Sequence, residues 1–400
     1  MSENYYEIKK SYLIPVEAPK DFLDDYLELK KKIFFELVKH IRREGNKIKL
    51  KFSQEDRKVL RLKLVREWKY SKHYVQTAIH MVQSLLKGWI KFYNKGQAYK
   101  LPKITRRTVY VKNTLFSIKG NKLKISISPG RYVEVDLSKY KYIPKDYNNI
   151  NALLLTEKGV YLIYRYKIKS KEPHGFASLD INLTNITMLL DEKVVRFDTR
   201  LLYHVHRVYE NIRRKLQMLM KKKPRTAKRL WKKYSRRERN RVKDLLHKLT
   251  AVIANELEKR NLGLILEDLN GIKKKVVRKG KNSKKRNREL SKWNCRELQK
   301  LLEYKVKERG LPVVYVNPRN SSRICPKCSG HLVAFKNRLM KCKSCDLIID
   351  RDVAAVYNLQ MWGVSGSPER RRASSKLVMN LKTNVDECID VSTLVKPLFI

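Results

Sequence analysis

Four cysteines in two matched pairs constrain this chain more than any other feature. Cys325-Pro-Lys-Cys328 and Cys342-Lys-Ser-Cys345 are separated by thirteen residues. Two such pairs on tight knuckle turns bring four thiolates to the corners of a tetrahedron, the donor set that suits Zn²⁺. Small or polar residues follow the pairs, Ser329-Gly330 after the first and Asp346 after the second, as tight turns require. With cysteine at all four corners no position stays open for a catalytic water, so the metal's expected role is structural. The other two cysteines, Cys295 and Cys388, stand alone. Cys295 falls on the apolar side of a predicted helix and reads as core.

The surrounding chain is strongly basic. Lysine and arginine number 92 of 400 residues and aspartate and glutamate 39, a net charge of +53. A magnitude of roughly 2–8 is ordinary for a small domain. Yet 42% of the residues are apolar, with 22 Tyr, 10 Phe and 5 Trp, which excludes a disordered basic tail. No run of about 18 uncharged apolar residues occurs, which excludes a helical membrane span. The N-terminal MSENYYEIKK lacks an apolar signal core, so the expected location is the cytoplasm, beside the nucleoid of a prokaryote. Structural disulfides are rare there, in keeping with metal-binding cysteines. The length suggests two or three domains, and the charge a polyanionic partner.

Hydropathy patterning divides the chain. Residues 5–16 read as a strand. Over 20–44, Phe22, Tyr26, Leu29, Ile33 and Leu37 recur at steps of three and four and predict one helix. Further helices are predicted over 53–66 and 71–94. Alternating segments from 99 to 168, punctuated by Gly120-Asn121, Pro129-Gly130 and Lys158-Gly159, predict a small β region. The composition changes near Pro173. Strands are expected at 176–183, 193–199 and 311–316, and the almost wholly apolar run 262–268 suits a buried strand. Helices are expected at about 200–222, 226–260 and 292–309 and from Asp352 onward, and 363–400 reads as a flexible tail. His204 and His206, two apart at a helix start, fall on different faces rather than forming a metal pair.

Three carboxylates stand out by context in a chain with few acids. Asp180 interrupts a strand otherwise made of Leu179, Ile181 and Leu183. Glu267 ends the apolar run LGLILE, and Asp352 opens a helix just after Ile348-Ile349. A lone carboxylate at a buried strand costs several kcal/mol unless it is paired or binds a cation. Three of them suggest a shared cation site. Each also has a plain alternative: Asp180 a strand-end residue, Glu267 a partner for an arginine, Asp352 an N-cap.

These residues resemble the motifs of the TnpB family, transposon-encoded RNA-guided endonucleases similar to compact type V CRISPR effectors. LDINLTNITMLL resembles the first RuvC-type motif, LILEDLNGI the second, and NSSRICPKCSG…MKCKSCDLIIDRDVAAVYNL the zinc ribbon running into the third. RNRELSKWNCRELQKLLEYKVKERGLPVVYV resembles the stretch between motifs two and three. Leu179 and Asn182 stand where the family has glycine, and Ala354 where it has asparagine, whereas Ala355 and Asn358 are retained.

The resemblance implies an α+β, multidomain chain. A β-barrel-like wedge domain (1–17 and 99–172) and a helical recognition domain (18–98) would precede an RNase H-like, RuvC-type nuclease domain (173–319 and 348–362). A zinc ribbon (320–347) is inserted, and a flexible tail (363–400) follows. It implies Asp180, Glu267 and Asp352 as the catalytic acids, from the first strand, the fourth strand and the final helix of the nuclease fold. They would hold Mg²⁺ or Mn²⁺, hard cations that suit carboxylate oxygens, for hydrolysis of a DNA phosphodiester. Cys325, Cys328, Cys342 and Cys345 would hold structural zinc. The implied partners are a guide RNA and double-stranded target DNA, with no membrane and no small-molecule substrate.

Two alternatives stay open, a nuclease-inactive RNA-guided DNA-binding protein acting as a repressor and a transposase or accessory factor. Ten of the residues 271–290 and 14 of the residues 221–248 are Lys or Arg. Candidate nucleic-acid contacts are therefore Lys273, Lys274, Lys275, Arg278, Lys284, Lys285 and Arg286, in a segment suited to a lid, and Arg236, Arg237 and Arg239. A solvated helix face is the plain alternative for any one run. The aromatic helix with Trp68, Tyr70, Tyr74, Trp89, Phe92 and Tyr93 is either core or, by the resemblance, a contact to guide and target.

Overall fold

The structure is a computed structural model that describes residues 4–271, 283–365 and 381–394. It divides into two compact units, residues 7–167 and residues 168–400 together with 1–6. Among the described residues no helix is long and apolar enough to cross a membrane.

In the unit of residues 7–167, helices α1 (Lys20–Val38), α2 (Gln54–Arg66) and α3 (His73–Tyr93) share one core with the strands. Strand β1 (Tyr5–Ile14), β9 (Gly159–Lys169), β8 (Ile150–Thr156) and β4 (Thr108–Lys112) lie side by side in that order. A separate sheet holds β5 (Phe116–Lys119), β6 (Lys122–Ser128) and β7 (Arg131–Asp136). The described strands pair as sheets of four and three, and no pairing among them closes the barrel that the resemblance led us to expect. The predicted helix over 20–44 stops at Val38. Gly45 takes a left-handed φ of 57° and turns the hairpin of β2 (Ile41–Glu44) and β3 (Lys47–Leu50), which pairs Ile41 with Leu50. That pairing overrides the helical spacing. Rings from α1 and α3 pack edge to face, Phe22 to Tyr70 at 4.8 Å and Phe22 to Tyr74 at 4.9 Å. Tyr70 and Tyr74 are therefore core, Trp68 and Trp89 pack against it, and only Phe92 and Tyr93 of that set are exposed.

The second unit is built on a six-stranded sheet. β10 (Gly175–Ile181), β11 (Asn185–Leu190) and β12 (Lys193–Asp198) run antiparallel. β13 (Leu262–Glu267) and β14 (Val313–Val316) lie parallel beside β10, and β18 (Glu387–Asp390) lies parallel beside β12. The sheet order is β14-β13-β10-β11-β12-β18. β11 was not expected, because its ITMLL is buried throughout and lacks the alternation of a one-faced strand. The reading of 363–400 as a tail also needs correction. Helix α8 (Arg351–Ser365) runs past Gly363, whose missing side chain lets the helix lie against Ile265, where a Cβ would come within 2.5 Å. Beyond it, β18 adds an edge strand.

Pleating sorts the sheet residues onto two faces. Ala177, Leu179 and Ile181 of β10 and Leu262, Leu264 and Leu266 of β13 face a core with Leu245, Leu249 and Ile253 of helix α5 (Pro224–Lys259) and Leu298 and Leu302 of helix α7 (Cys295–Glu308). Cys295 lies in this core, as expected. Helix α4 (Arg200–Lys222) pairs with α5, and the short helix α6 (Lys284–Ser291) precedes α7. The opposite face belongs to α8. Ser178 Oγ donates to Val356 O at 2.6 Å, and Ile265 packs with Leu359 and Trp362. Alternation therefore sends Asp180 and Glu267 to the α8 face. The cysteine ribbon, β15 (Leu332–Ala334), β16 (Leu339–Cys342) and β17 (Ile348–Asp350), runs straight into α8.

Candidate functional site

The parallel register of β10 and β13 sets Leu179 opposite Leu266, so the next residues, Asp180 and Glu267, stand side by side at the ends of two buried strands. The two carboxyls act on each other's charge. Burial raises the Asp180 carboxyl from 3.8 to about 6. Burial and then the neighbouring Asp180 charge hold Glu267 well above its ordinary value. Asn182 Nδ2 donates to Asp180 Oδ2 at 2.6 Å, and the Ile181 N–H donates to Glu267 Oε2 at 3.4 Å. Among the described residues, no lysine or arginine forms an ion pair with either acid.

Asp352 reaches the same place from the first turn of α8. All three acids line one cavity of about 500 Å³, together with Asn182, Trp293 and Arg351. Asp352, only 3% exposed, is engaged differently: Arg338 of the ribbon donates to it, and Arg196 of β12 donates to Oδ2 at 3.4 Å. Its alternative as an N-cap falls to Asp350, whose Oδ1 accepts from the Asp352 N–H at 2.8 Å and from Arg196 at 3.0 Å. Arg196 and Arg338 were missed in the sequence. Arg196 carried a usable signal, a charge set between Val194, Val195 and Phe197 in the strand KVVRFD, where partial burial obliges it to find a partner.

The fit of this cluster to a divalent cation rests on Asp180 and Glu267. Two buried carboxyls side by side, with no ion pair to either among the described residues, form an all-oxygen donor pair. Below pH 3.8 the raised Asp180 carboxyl contributes its full stability, because the folded state binds its proton more tightly than the unfolded one; that contribution is lost as pH rises through about 6. A cation in place of the proton restores it. Adding Mn²⁺ above pH 6 is therefore expected to raise the thermal midpoint by roughly 5 °C, and below pH 4 by much less. A midpoint indifferent to both pH and Mn²⁺ would refute a cation site here.

The cysteines meet as their spacing predicts. Cys325 and Cys345 Sγ are 3.7 Å apart, Cys328 and Cys342 Sγ 3.4 Å, and all four Sγ atoms lie within 4.8 Å of one another. Tetrahedral zinc with bonds of about 2.3 Å sets its sulfurs about 3.8 Å apart, so the set suits one structural zinc. Ser329 and Asp346 take left-handed φ values of 61° and 54° after the two pairs. Gly330 is required, because a Cβ there would fall 2.5 Å from Ser344 Oγ. Cys325 and Cys342 are buried in a core with Ile349, Val353 and Tyr357, so the metal knuckle and the start of α8 are one packed body.

The described basic candidates lie elsewhere. Arg236, Arg237 and Arg239 are exposed on α5 and Arg286 on α6, and none lines the acidic cavity. Lys273, Lys274, Lys275 and Arg278, with most of the expected lid, fall outside the described residues, and Lys284 and Lys285 lie in α6. His206 binds Glu238 at 2.8 Å and Asn294 at 2.8 Å, a bridge between helices and not a metal pair with the exposed His204.

Comparison with known proteins places the chain among relatives. Residues 160–272 match a family described as "Probable transposase", residues 296–359 a "Cas12f1-like, TNB domain", and residues 22–126 an "Uncharacterized protein MJ0013 family". A TnpB-like protein of Methanocaldococcus jannaschii is 35% identical over 273 residues, 64% of this chain and 97% of the relative. A second TnpB-like protein of that organism is 28% identical over 380 residues, 92% of this chain and 87% of its own length. In fold, the chain is similar to the structure titled as the mini-RNA-guided endonuclease CRISPR-Cas phi3, with a TM-score of 0.55 at 12% identity over 92% of this chain and 93% of that one. The mixed α/β, multidomain architecture thus resembles that of compact Cas12 effectors.

Proposed function

The chain belongs to the TnpB family, and on that premise we propose that it is an RNA-guided DNA endonuclease whose acidic cavity hydrolyses a phosphodiester bond. The observation that carries this reading is the meeting of Asp180, Glu267 and Asp352 in one cavity, from three distant stretches of a chain with 39 acids against 92 bases. The strand order supports an RNase H-like, RuvC-type nuclease domain. Counted from β10, Asp180 is on the first strand and Glu267 on the fourth, with Asp352 on the final helix against the sheet.

Asp180, Glu267 and Asp352 would hold Mg²⁺ or Mn²⁺, which when bound activates water and stabilises the leaving 3′ oxygen. The chain's own groups prepare the place. Asn182 orients the Asp180 carboxylate, and burial keeps Asp180 and Glu267 ready to exchange protons for a cation. Arg196 and Asp350 set the first turn of α8, while Arg338 neutralises Asp352 in the free protein. Guide pairing reads the target and basic surfaces hold its phosphates, so binding weakens steeply with salt. The zinc knuckle is structural.

One observation favours the nuclease-inactive DNA-binding reading as a second possibility: Asp352 is closed by two guanidiniums. Purification from the native host with sequencing of co-purifying RNA, followed by plasmid cleavage with and without Mg²⁺, separates the two. A discrete RNA with Mg²⁺-dependent cleavage is expected. A discrete RNA without cleavage favours the inactive binder, and no discrete RNA overturns the guided reading.

A further inference from the structure

A second cleft lies between α4, α5 and α6, sharing no residue with the acidic cavity. It holds about 350 Å³ and is lined by Glu210, Arg213, Arg214, Gln217, Trp231 and Arg288, a volume within the range of roughly 300–1,000 Å³ typical of small-ligand pockets. Trp231 is its unusual member. Trp68, Trp89, Trp293 and Trp362 all belong to or pack against apolar cores, whereas Trp231 packs against none of those among the described residues. It sits half-buried on α5, between the exposed bases Arg229, Lys232 and Lys233. An indole left out of every core, in a wall of charge, has a flat face to offer.

The groups around that face are already sorted. Arg214 is tied to Glu210 at 3.0 Å and Arg213 to Glu238. Glu210 is also bound by Lys292 at 2.6 Å, so its negative charge is answered twice. Arg288, across the cleft on α6, forms no ion pair among the described residues, and Gln217 is exposed, its amide making no hydrogen bond among them. A flat aromatic face, an amide and an uncommitted guanidinium are what one unpaired nucleotide needs. The ring takes the base, the amide its edge, and the guanidinium its phosphate.

We propose that this cleft is a nucleobase-stacking site for single-stranded nucleic acid, with the base on Trp231, its edge at Gln217 and a phosphate at Arg288. A duplex is excluded, because its bases already have both faces covered by their neighbours. The site does not depend on whether the acidic cavity cuts.

Binding of the full chain to labelled oligothymidylate, oligouridylate and a duplex of equal length, each across a salt series, tests this. Trp231→Ala is expected to weaken both single strands roughly tenfold without changing the slope of log affinity against log salt. Trp231→Phe should retain most of the affinity. Arg288→Ala should reduce that slope by about one. Duplex binding should be unchanged by Trp231→Ala, and quenching of tryptophan fluorescence by single strands should fall. A preference for one homopolymer identifies DNA or RNA as the strand held. Wild-type single-strand affinity in Trp231→Ala, or an equal loss for duplex and single strands, overturns the proposal.

Discussion

Replacing Asp180 by alanine is expected to reduce cleavage of a guided target by roughly 10³-fold or more, the effect of losing several kcal/mol of charge stabilisation at the reacting phosphate. Affinity for the target should stay within about twofold, because the described basic candidates Arg236, Arg237, Arg239 and Arg286 do not line the cavity. Asp180 is 8% exposed and burial raises its carboxyl, so above pH 6 the substitution removes a costly buried charge rather than a stabilising one. Asp180→Asn, which keeps the shape, should be equally inactive. Single-turnover cleavage beside a binding titration measures both quantities. Cleavage by either variant at the wild-type rate with Mg²⁺ present would sink the assignment.

Loss of the zinc ligands is expected to act through structure. Cys342→Ser, or removal of metal by a chelator, should lower the first thermal transition by roughly 10 °C or more, given that structural zinc can contribute about 10 kcal/mol to folding. The reason is the shared core. Cys325 and Cys342 pack with Ile349, Val353 and Tyr357, the residues that seat the first turns of α8. Asp352 lies in that turn, and its partner Arg338 belongs to the ribbon. Metal loss should therefore abolish cleavage and expose the α8 segment to protease. Metal analysis should find one zinc per chain. Unchanged melting and cleavage in the zinc-free protein would show that the ribbon is independent of the site.

The sequence was most informative where partners are close along the chain. Both cysteine pairs are local, and their turns announce themselves in Ser329-Gly330 and Asp346. Asp180 and Glu267 were legible because a carboxyl in a buried apolar strand is costly and therefore conspicuous. What could not be read depends on pairing at long range. Arg196 meets Asp350 and Asp352 across 154 and 156 positions, and nothing local names the partner. Strand β11, buried on both faces, shows no alternation. In the other unit, helical spacing ran on into Ile41, whose true partner, Leu50, is set by a turn at Gly45. The aromatic helix was ambiguous because edge-to-face core rings and stacking rings have the same composition.

The pairing of β12 with β18 bears on how the molecule is made. Val195 waits for Glu387, so a ribosome adding about 5–20 residues per second emits the edge strand tens of seconds after its neighbour is ready to fold. Through that interval β12 presents a bare row of backbone donors and acceptors, the usual template for joining another chain. A nascent or truncated copy is thus the species most prone to self-association, and the late strand acts as the molecule's own safeguard against it.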